Sequence, residues 1–92
     1  MPSRKSLNRP SWWNWDVVFT PHVEARMEER GVSEVELRTM LEDATRIEPA
    51  RHPDRHVVHT RRFDDPWIVV LEPDFDDRLL FVVTAYAREH RQ

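Results

Sequence analysis

The only glycine in this 92-residue chain, Gly31, follows a segment with the features of a short helix. A glycine just past the last helical turn adopts a left-handed backbone conformation without strain, so it is a specific stop signal. Upstream, Thr20 is a suitable N-cap residue and Pro21 suits the first helical position. The sequence therefore predicts a first helix from about Pro21 to Arg30.

A second helix is predicted directly after Gly31. Ser33 and Glu36 have the spacing of a capping box, in which each side chain accepts a hydrogen bond from the other residue's backbone N–H. Four apolar residues then recur at helical spacing and predict one buried stripe: Leu37, Met40, Leu41 and Ala44. We expect this helix to end near residues 44–46, before Pro49.

Three strand-like segments follow, at residues 55–63, 67–72 and 79–87. Because only short turns rich in Asp and Pro separate them, we expect antiparallel hairpins rather than parallel pairs. The second and third segments contain runs that are apolar on both faces, which predicts the central strands. The first segment alternates polar and apolar residues, which predicts an edge or half-exposed strand.

These elements define the expected fold class. Asp16–Phe19 is extended in character and is a candidate for a short first strand, whereas residues 49–54 are predicted to form a loop. We predict an α+β fold with two short N-terminal helices packed on a three- to four-stranded antiparallel sheet.

Charge and composition bound the organisation of the chain. The net charge is −3, but residues 1–10 carry Arg4, Lys5 and Arg9 with no acidic residue. We therefore expect a flexible basic arm at residues 1–10 and a single α+β domain at residues 11–92. The chain has no cysteine, which fits a reducing, cytoplasmic location, and no apolar run approaches the ~20 residues of a membrane helix. We expect no membrane partner, no cofactor and no metal site.

The first predicted helix carries a candidate site. His22, Arg26 and Arg30 fall at i, i+4 and i+8, which places them along one stripe. A histidine flanked by two guanidinium groups suits phosphate chemistry, with His22 moving a proton and the arginines binding the phosphate. The alternative is a solvated face, because three glutamates of the same helix can pair with these arginines.

A second candidate cluster lies on the strands. Alternation places His59 and Arg61 on one side of the first predicted hairpin strand. If that side faces the first helix, the two residues complete a groove with His22; otherwise they are ordinary strand charges that prevent edge pairing. Tyr86, on the last strand, could act as an acid, orient a phosphate or stack on a base, or it could simply be half-buried.

The tryptophan-rich segment admits two interpretations. Trp12, Trp13 and Trp15 fall within four positions. They either pack into the core of their own chain or form an interface with a partner chain, where aromatic residues are enriched.

Two motifs resemble those of a known bacterial family. They are Phe19-Thr20-Pro21-His22, Ala25-Arg26-Met27 and Arg30-Gly31-Val32-Ser33 at the front, and Val82-Val83-Thr84-Ala85-Tyr86 at the end. Over roughly residues 19–87 the chain resembles the domain of unknown function 4258, which is distantly similar to bacterial toxins of the RelE and BrnT type.

The resemblance implies a RelE/BrnT-like fold and a metal-independent ribonuclease. It implies that His22 is the acid or base, that Arg26 and Arg30 bind the scissile phosphate of RNA, and that three further residues are secondary candidates: His59, Arg61 and Tyr86. An antitoxin partner is also implied. The alternative hypothesis is a non-catalytic interaction module that self-associates as a homodimer or docks another protein through the tryptophan-rich segment.

Overall fold

The computed structural model describes residues 9–88, so the predicted basic arm lies almost entirely outside the described residues. The chain contains a 3-10 turn, two α-helices and five β-strands. In order these are the turn Ser11–Asn14, β1 (Asp16–Phe19), α1 (Pro21–Glu29), α2 (Glu34–Glu42), β2 (Arg46–Pro49), β3 (His56–Arg62), β4 (Asp65–Asp74) and β5 (Leu79–Ala87). The α+β class, both helices and the short first strand are confirmed.

The five strands form one mixed sheet in the order β1-β5-β4-β3-β2. Strands β2 to β5 pair antiparallel, as the short turns between them predicted. The prediction of a three- to four-stranded antiparallel sheet is nevertheless wrong in two respects: β2 adds a strand, and β1 pairs parallel with β5. A parallel pair needs a long connection between its strands, and both helices lie in that connection.

The additional strand β2 changes the edge of the sheet. Helix α2 ends at Glu42, earlier than predicted, because the chain turns there and extends from Arg46 into β2. Strand β3 therefore lies inside the sheet, between β2 and β4, and the edge position belongs to β2. Strand β4 is central, as its apolar run predicted.

The helix ends follow the predicted chemistry. The hydroxyl of Thr20 accepts a hydrogen bond from the backbone N–H of Val23 at 3.2 Å. The capping box of α2 is complete, with both reciprocal hydrogen bonds between Ser33 and Glu36 at 3.0 Å. Gly31 has a φ of 72°, the left-handed conformation expected after a helix.

Both helices pack on one face of the sheet. Val23 and Met27 of α1 and the predicted apolar stripe of α2 are buried, which confirms that stripe. They join a single core with alternate residues of the strands, namely Val58, Trp67, Val69, Leu71, Leu80, Val82 and Ala85. Neither described helix has the length and apolar character needed to cross a membrane.

Two side chains of β3 hold α2 against this face. Near the end of α2, the hydroxyl of Thr60 donates a hydrogen bond to the carbonyl oxygen of Met40. At its start, the guanidinium of Arg62 donates to the carbonyl oxygen of Gly31 at 2.6 Å and to Glu36 Oε1 at 3.2 Å. Because residues two positions apart share one side of a strand, Thr60 and Arg62 together fix both ends of the helix.

Replacing Gly31 tests the left-handed stop between the helices. A Cβ at this position would meet no atom within 4 Å, so the cost comes from the backbone conformation alone. We expect Gly31→Ala to lower the free energy of unfolding by about 1 kcal/mol. Gly31→Asn, which tolerates this conformation better, should lower it less. Urea unfolding of the three chains measures the order, and an unchanged Gly31→Ala chain would contradict it.

Candidate functional site on the uncovered face of the sheet

The face of the sheet opposite the helices, hereafter the uncovered face, carries the alternate residues of each strand. On β4 these are Pro66, Ile68, Val70, Glu72 and Asp74, whose neighbours in sequence point into the core. Within residues 9–88, both α-helices pack on the other face, so their side chains do not cover this one. The uncovered face is therefore available to a ligand.

Strand register brings several polar residues together at one end of this face. One row crosses the strands through Arg46, His59, Ile68 and Tyr86. The next row pairs Arg61 with Pro66, and the backbone N–H of Arg88 donates to the carbonyl oxygen of Pro66 at 2.9 Å. We call the polar residues of these rows, with Glu48 of β2, the basic end: Arg46, Glu48, His59, Arg61, Tyr86 and Arg88.

His59 is held in place by a carboxylate. Its Nε2 lies 2.7 Å from Glu48 Oε2, and Glu48 Oε1 accepts a hydrogen bond from Arg46 at 2.9 Å. If Nε2 carries the proton donated to Glu48, then Nδ1 is the ring nitrogen that can accept another proton. The His59 side chain retains 21% exposure, so a proton can be exchanged with a bound molecule.

The same contacts shift the titration of Glu48. The hydrogen bond from His59, aided by the positive charge of Arg46, holds the pKa of the Glu48 carboxyl below its ordinary value, despite partial desolvation. Glu48 is therefore a stable anion at neutral pH. It can orient the imidazole of His59 through this hydrogen bond.

The two arginines of the outer row can bind an anion. Arg61 and Arg88 are exposed, and within residues 9–88 neither forms an ion pair with a carboxylate. They lie on the two sides of Pro66 in β4, so their backbones are roughly 10 Å apart. Two long guanidinium side chains at this separation can reach toward one phosphate or two consecutive phosphates.

The other end of the uncovered face is acidic. Glu72 and Asp74 lie on β4 beyond Val70, and Glu72 accepts a hydrogen bond from Arg55 at 2.9 Å. A cavity of about 350 Å³ lies here, lined by Asp54, Glu72, Pro73, Asp74, Phe75, Asp76 and Phe81. Carboxylates therefore predominate at this end, despite Arg55, whereas arginines predominate at the basic end, despite Glu48.

The structure brings together only part of the predicted site. His59 and Arg61 share one side of β3, as strand alternation implied, and the strand register places Tyr86 on the same face. His22 and Arg26 are exposed on α1, which packs on the opposite face, so the predicted groove between the helix and His59 is not formed.

Arg30, the third residue of the predicted helix stripe, is hydrogen-bonded to the sheet. Its guanidinium donates to the carbonyl oxygen of Ala85 on β5 at 3.1 Å, which ties the end of α1 to the sheet. His22 and Arg26 remain a predicted site of their own, separated from the basic end by the sheet.

The tryptophans divide between the core and the surface. Trp12 is 5% exposed and belongs to the core. Trp13 is half-buried, with the guanidinium carbon of Arg9 5.0 Å from its ring centre. Trp15 is also half-buried and meets Phe75 edge-on, with 5.2 Å between ring centres. All three tryptophans thus pack within their own chain, with Trp12 in the core and Trp13 and Trp15 against it with partly exposed rings.

Sequence reasoning missed Arg46 and Glu48. Both lie on β2, where the prediction placed Arg46 at the end of the second helix and gave Glu48 no element. The alternation Arg46-Ile47-Glu48 before Pro49 was a signal for a short strand with one apolar side, since Ile47 packs against the core. No sequence signal indicated that this strand would place Glu48 beside His59.

One comparison with known proteins gives a match. The model of the family described as domain of unknown function (DUF4258) matches residues 19–87, which include both helices and every strand side chain of the basic end except that of Arg88. No curated protein and no solved structure matches the chain.

The lowered pKa of Glu48 predicts a pH-dependent contribution to stability. A depressed folded-state pKa stabilises the fold above the pKa of the unfolded chain, about 4.3, and that contribution is lost as the pH falls through the folded-state value. We therefore expect the difference in unfolding free energy between wild type and Glu48→Gln to be full at about pH 5 and to shrink toward pH 3.

Urea titrations at several pH values measure this difference. Glu28→Gln is the control, because Glu28 is exposed and forms no ion pair within residues 9–88. A difference between wild type and Glu48→Gln that stays constant or grows on acidification would show that the carboxylate is not stabilised by its neighbours.

Proposed function

Since this chain belongs to the DUF4258 family, whose description assigns no activity, we propose its function from the chemistry of the basic end. The proposal is a metal-independent endoribonuclease that binds RNA on the uncovered face. One observation carries it: a histidine oriented by a carboxylate lies at the same end of an open sheet face as two arginines that have no acidic partner in the described chain. The resemblance to RelE- and BrnT-type toxins points to the same reaction class.

RNA carries its own nucleophile, which limits what the protein must supply. Cleavage requires removal of the proton from a ribose 2′-hydroxyl, followed by attack of that oxygen on the adjacent phosphorus. A general base and positive charge around the phosphate suffice. The basic end contains both, with His59 as the base and Arg61 and Arg88 as the charges.

The proposed step balances as a transesterification. Nδ1 of His59 accepts the 2′-hydroxyl proton while the 2′-oxygen bonds to phosphorus. The bond from phosphorus to the 5′-oxygen breaks, and that oxygen takes a proton from water at this exposed site. The products are a 2′,3′-cyclic phosphate and a 5′-hydroxyl end.

Two arginines and one carboxylate assist the proposed step in different ways. Arg61 and Arg88 offset the negative charge that grows on the phosphate oxygens in the transition state. Glu48 does not contact the substrate in this scheme; it is a positioning residue that fixes the ring of His59.

Removing His59 tests the proposal. We expect purified wild-type protein to cleave a mixed single-stranded RNA in the presence of EDTA, and His59→Ala to lower kcat/KM by about 100-fold or more, as for loss of a general base. The matched control is His22→Ala/Arg26→Ala, which removes the other candidate site on α1 and should retain activity. EDTA suppresses contaminating metal nucleases in all samples.

The same experiment separates the alternatives. Loss of cleavage in His22→Ala/Arg26→Ala but not in His59→Ala would move the site to α1. Equal cleavage by all three proteins would indicate a contaminant. Absence of cleavage by wild type would contradict the enzymatic proposal.

A non-catalytic interaction module is the second candidate function. It is supported by half-buried Trp13, which lines a cavity of about 260 Å³ with residues of β1, α2 and the sheet. A second copy of this chain or an antitoxin would bind there. Sedimentation of wild type and Trp13→Ala over a range of concentrations tests self-association, and a wild-type monomer at all concentrations would count against a homodimer.

A further inference from the structure

We infer that the uncovered face takes single-stranded RNA, with an unpaired base stacked on the ring of Tyr86. This inference rests on the proposed function, because it concerns the substrate of the same site. It assigns Tyr86 a binding role through its aromatic ring rather than a catalytic role through its hydroxyl.

The position of Tyr86 favours stacking. It is the only tyrosine of the chain, and 41% of its surface is exposed. In the sheet it pairs with Ile68, two positions along β4 from Pro66, to which the backbone of Arg88 is bonded. A nucleotide whose phosphate contacts Arg88 would therefore have its base within reach of the tyrosine ring, and base–aromatic stacking requires a base that is not enclosed in a duplex.

An apolar surface continues from Tyr86 toward the centre of the face. Ile68, between His59 and Tyr86, is buried with 5% exposure, so the surface that a base can reach lies in the next row. That row consists of Val57, Val70 and Thr84, all half-buried. This surface has no charge to bind a phosphate. It suits the flat face of a base, while the phosphates stay over the arginine row.

Charge segregation disfavours a duplex. Beyond Val70 the face presents Asp74 and Glu72, and Glu72 is paired with Arg55. The adjoining turn adds two carboxylates and one guanidinium, from Asp76, Asp77 and Arg78, so this end keeps a net negative charge. From Pro66 to Glu72 the strand extends roughly 20 Å. A second RNA strand lying alongside the first would be carried toward these carboxylates, where its phosphates are repelled.

The direction of the bound strand follows from the same layout. Arg61 and Arg88 are aligned across the sheet, perpendicular to the β-strands, with Pro66 between them. An RNA strand that contacts both arginines crosses β3, β4 and β5 at the basic end and does not run along them toward the acidic end. Its contact with the protein is consequently short, about one or two nucleotides.

Binding of an RNA that cannot be cut tests this inference separately from catalysis. The probes are a fluorescent 2′-O-methyl RNA of 12 nucleotides without self-complementarity, and a hairpin duplex of the same length and modification. Fluorescence anisotropy at fixed low salt with EDTA measures both affinities. We expect the single strand to bind wild type about tenfold more tightly than the duplex, a ratio of the size that one stacked base can supply.

Substitutions of Tyr86 separate the ring from the hydroxyl. Tyr86→Ala should weaken single-strand binding about tenfold, whereas Tyr86→Phe should stay within about twofold of wild type. Phe75→Ala is the matched control, since Phe75 is an exposed aromatic residue at the acidic end, 66% accessible. It should leave binding unchanged, and thermal unfolding checks that each variant is folded.

Charge substitutions test the layout of the face. Arg61→Gln/Arg88→Gln should weaken binding of the single strand. It should also reduce the steepness of the plot of log K against log salt concentration by roughly 1.4, because each phosphate contact on a single strand contributes about 0.7 to that slope. Asp76→Asn/Asp77→Asn should raise duplex affinity several-fold more than single-strand affinity, because it removes repulsion at the acidic end.

Three outcomes would overturn the inference. These are equal binding of duplex and single strand, unchanged binding by Tyr86→Ala, and an effect of Phe75→Ala as large as that of Tyr86→Ala. Because the probes lack a free 2′-hydroxyl, a protein that binds the single strand but cleaves nothing would preserve this inference and refute the proposed reaction. A protein that cleaves RNA but binds both probes equally would support the proposed reaction and refute this inference.

Discussion

The arrangement of this fold depends on the two polar side chains that β3 sends toward the helices. Thr60 bonds to Met40 in the last turn of α2, and Arg62 bonds to Gly31 in the loop before α2. The helix is therefore tied to the sheet at both ends. Strand alternation then fixes the direction of the neighbouring side chains on β3. His59 and Arg61 must lie on the opposite face, where the described helices do not reach. The position of the candidate site is thus a consequence of how the helix is anchored.

The short edge strand β2 completes that site. It has only four residues and ends in a proline, which is typical of a protected sheet edge. Its pairing with β3 sets Arg46 opposite His59 and brings Glu48 within hydrogen-bond distance of the same histidine. An element that contributes little to the core therefore supplies the carboxylate that orients the proposed base.

Local signals in the sequence predicted the local structure well. The N-cap at Thr20, the capping box at Ser33 and the stop at Gly31 involve neighbours in the chain, and each is found as expected. The pairing of β1 with β5 could not be predicted in this way, because a strand's own residues do not specify a distant partner. The sheet face that each strand presents is decided by packing against the helices, as with Arg62.

The same limit applied to the site. Alternation placed His59 and Arg61 on one side of a strand, but only tertiary contacts decided which side faced α1. The helix stripe of His22 and Arg26 and the strand cluster were each visible in sequence, and the sheet separates them. Glu48 was missed because a four-residue strand ending at Pro49 carries too weak a pattern to distinguish from a loop.

The parallel pair of β1 and β5 has a consequence for biosynthesis. Asp16 pairs with Leu79, 63 positions later, so β1 has no partner until β5 has left the ribosome. Contacts this distant in sequence form slowly and late. Until then the tryptophans beside β1 lie next to an unpaired strand edge, which makes the nascent chain prone to association. Once β5 is complete, β1 can pair with it, so the translation of β5 sets when the domain can fold.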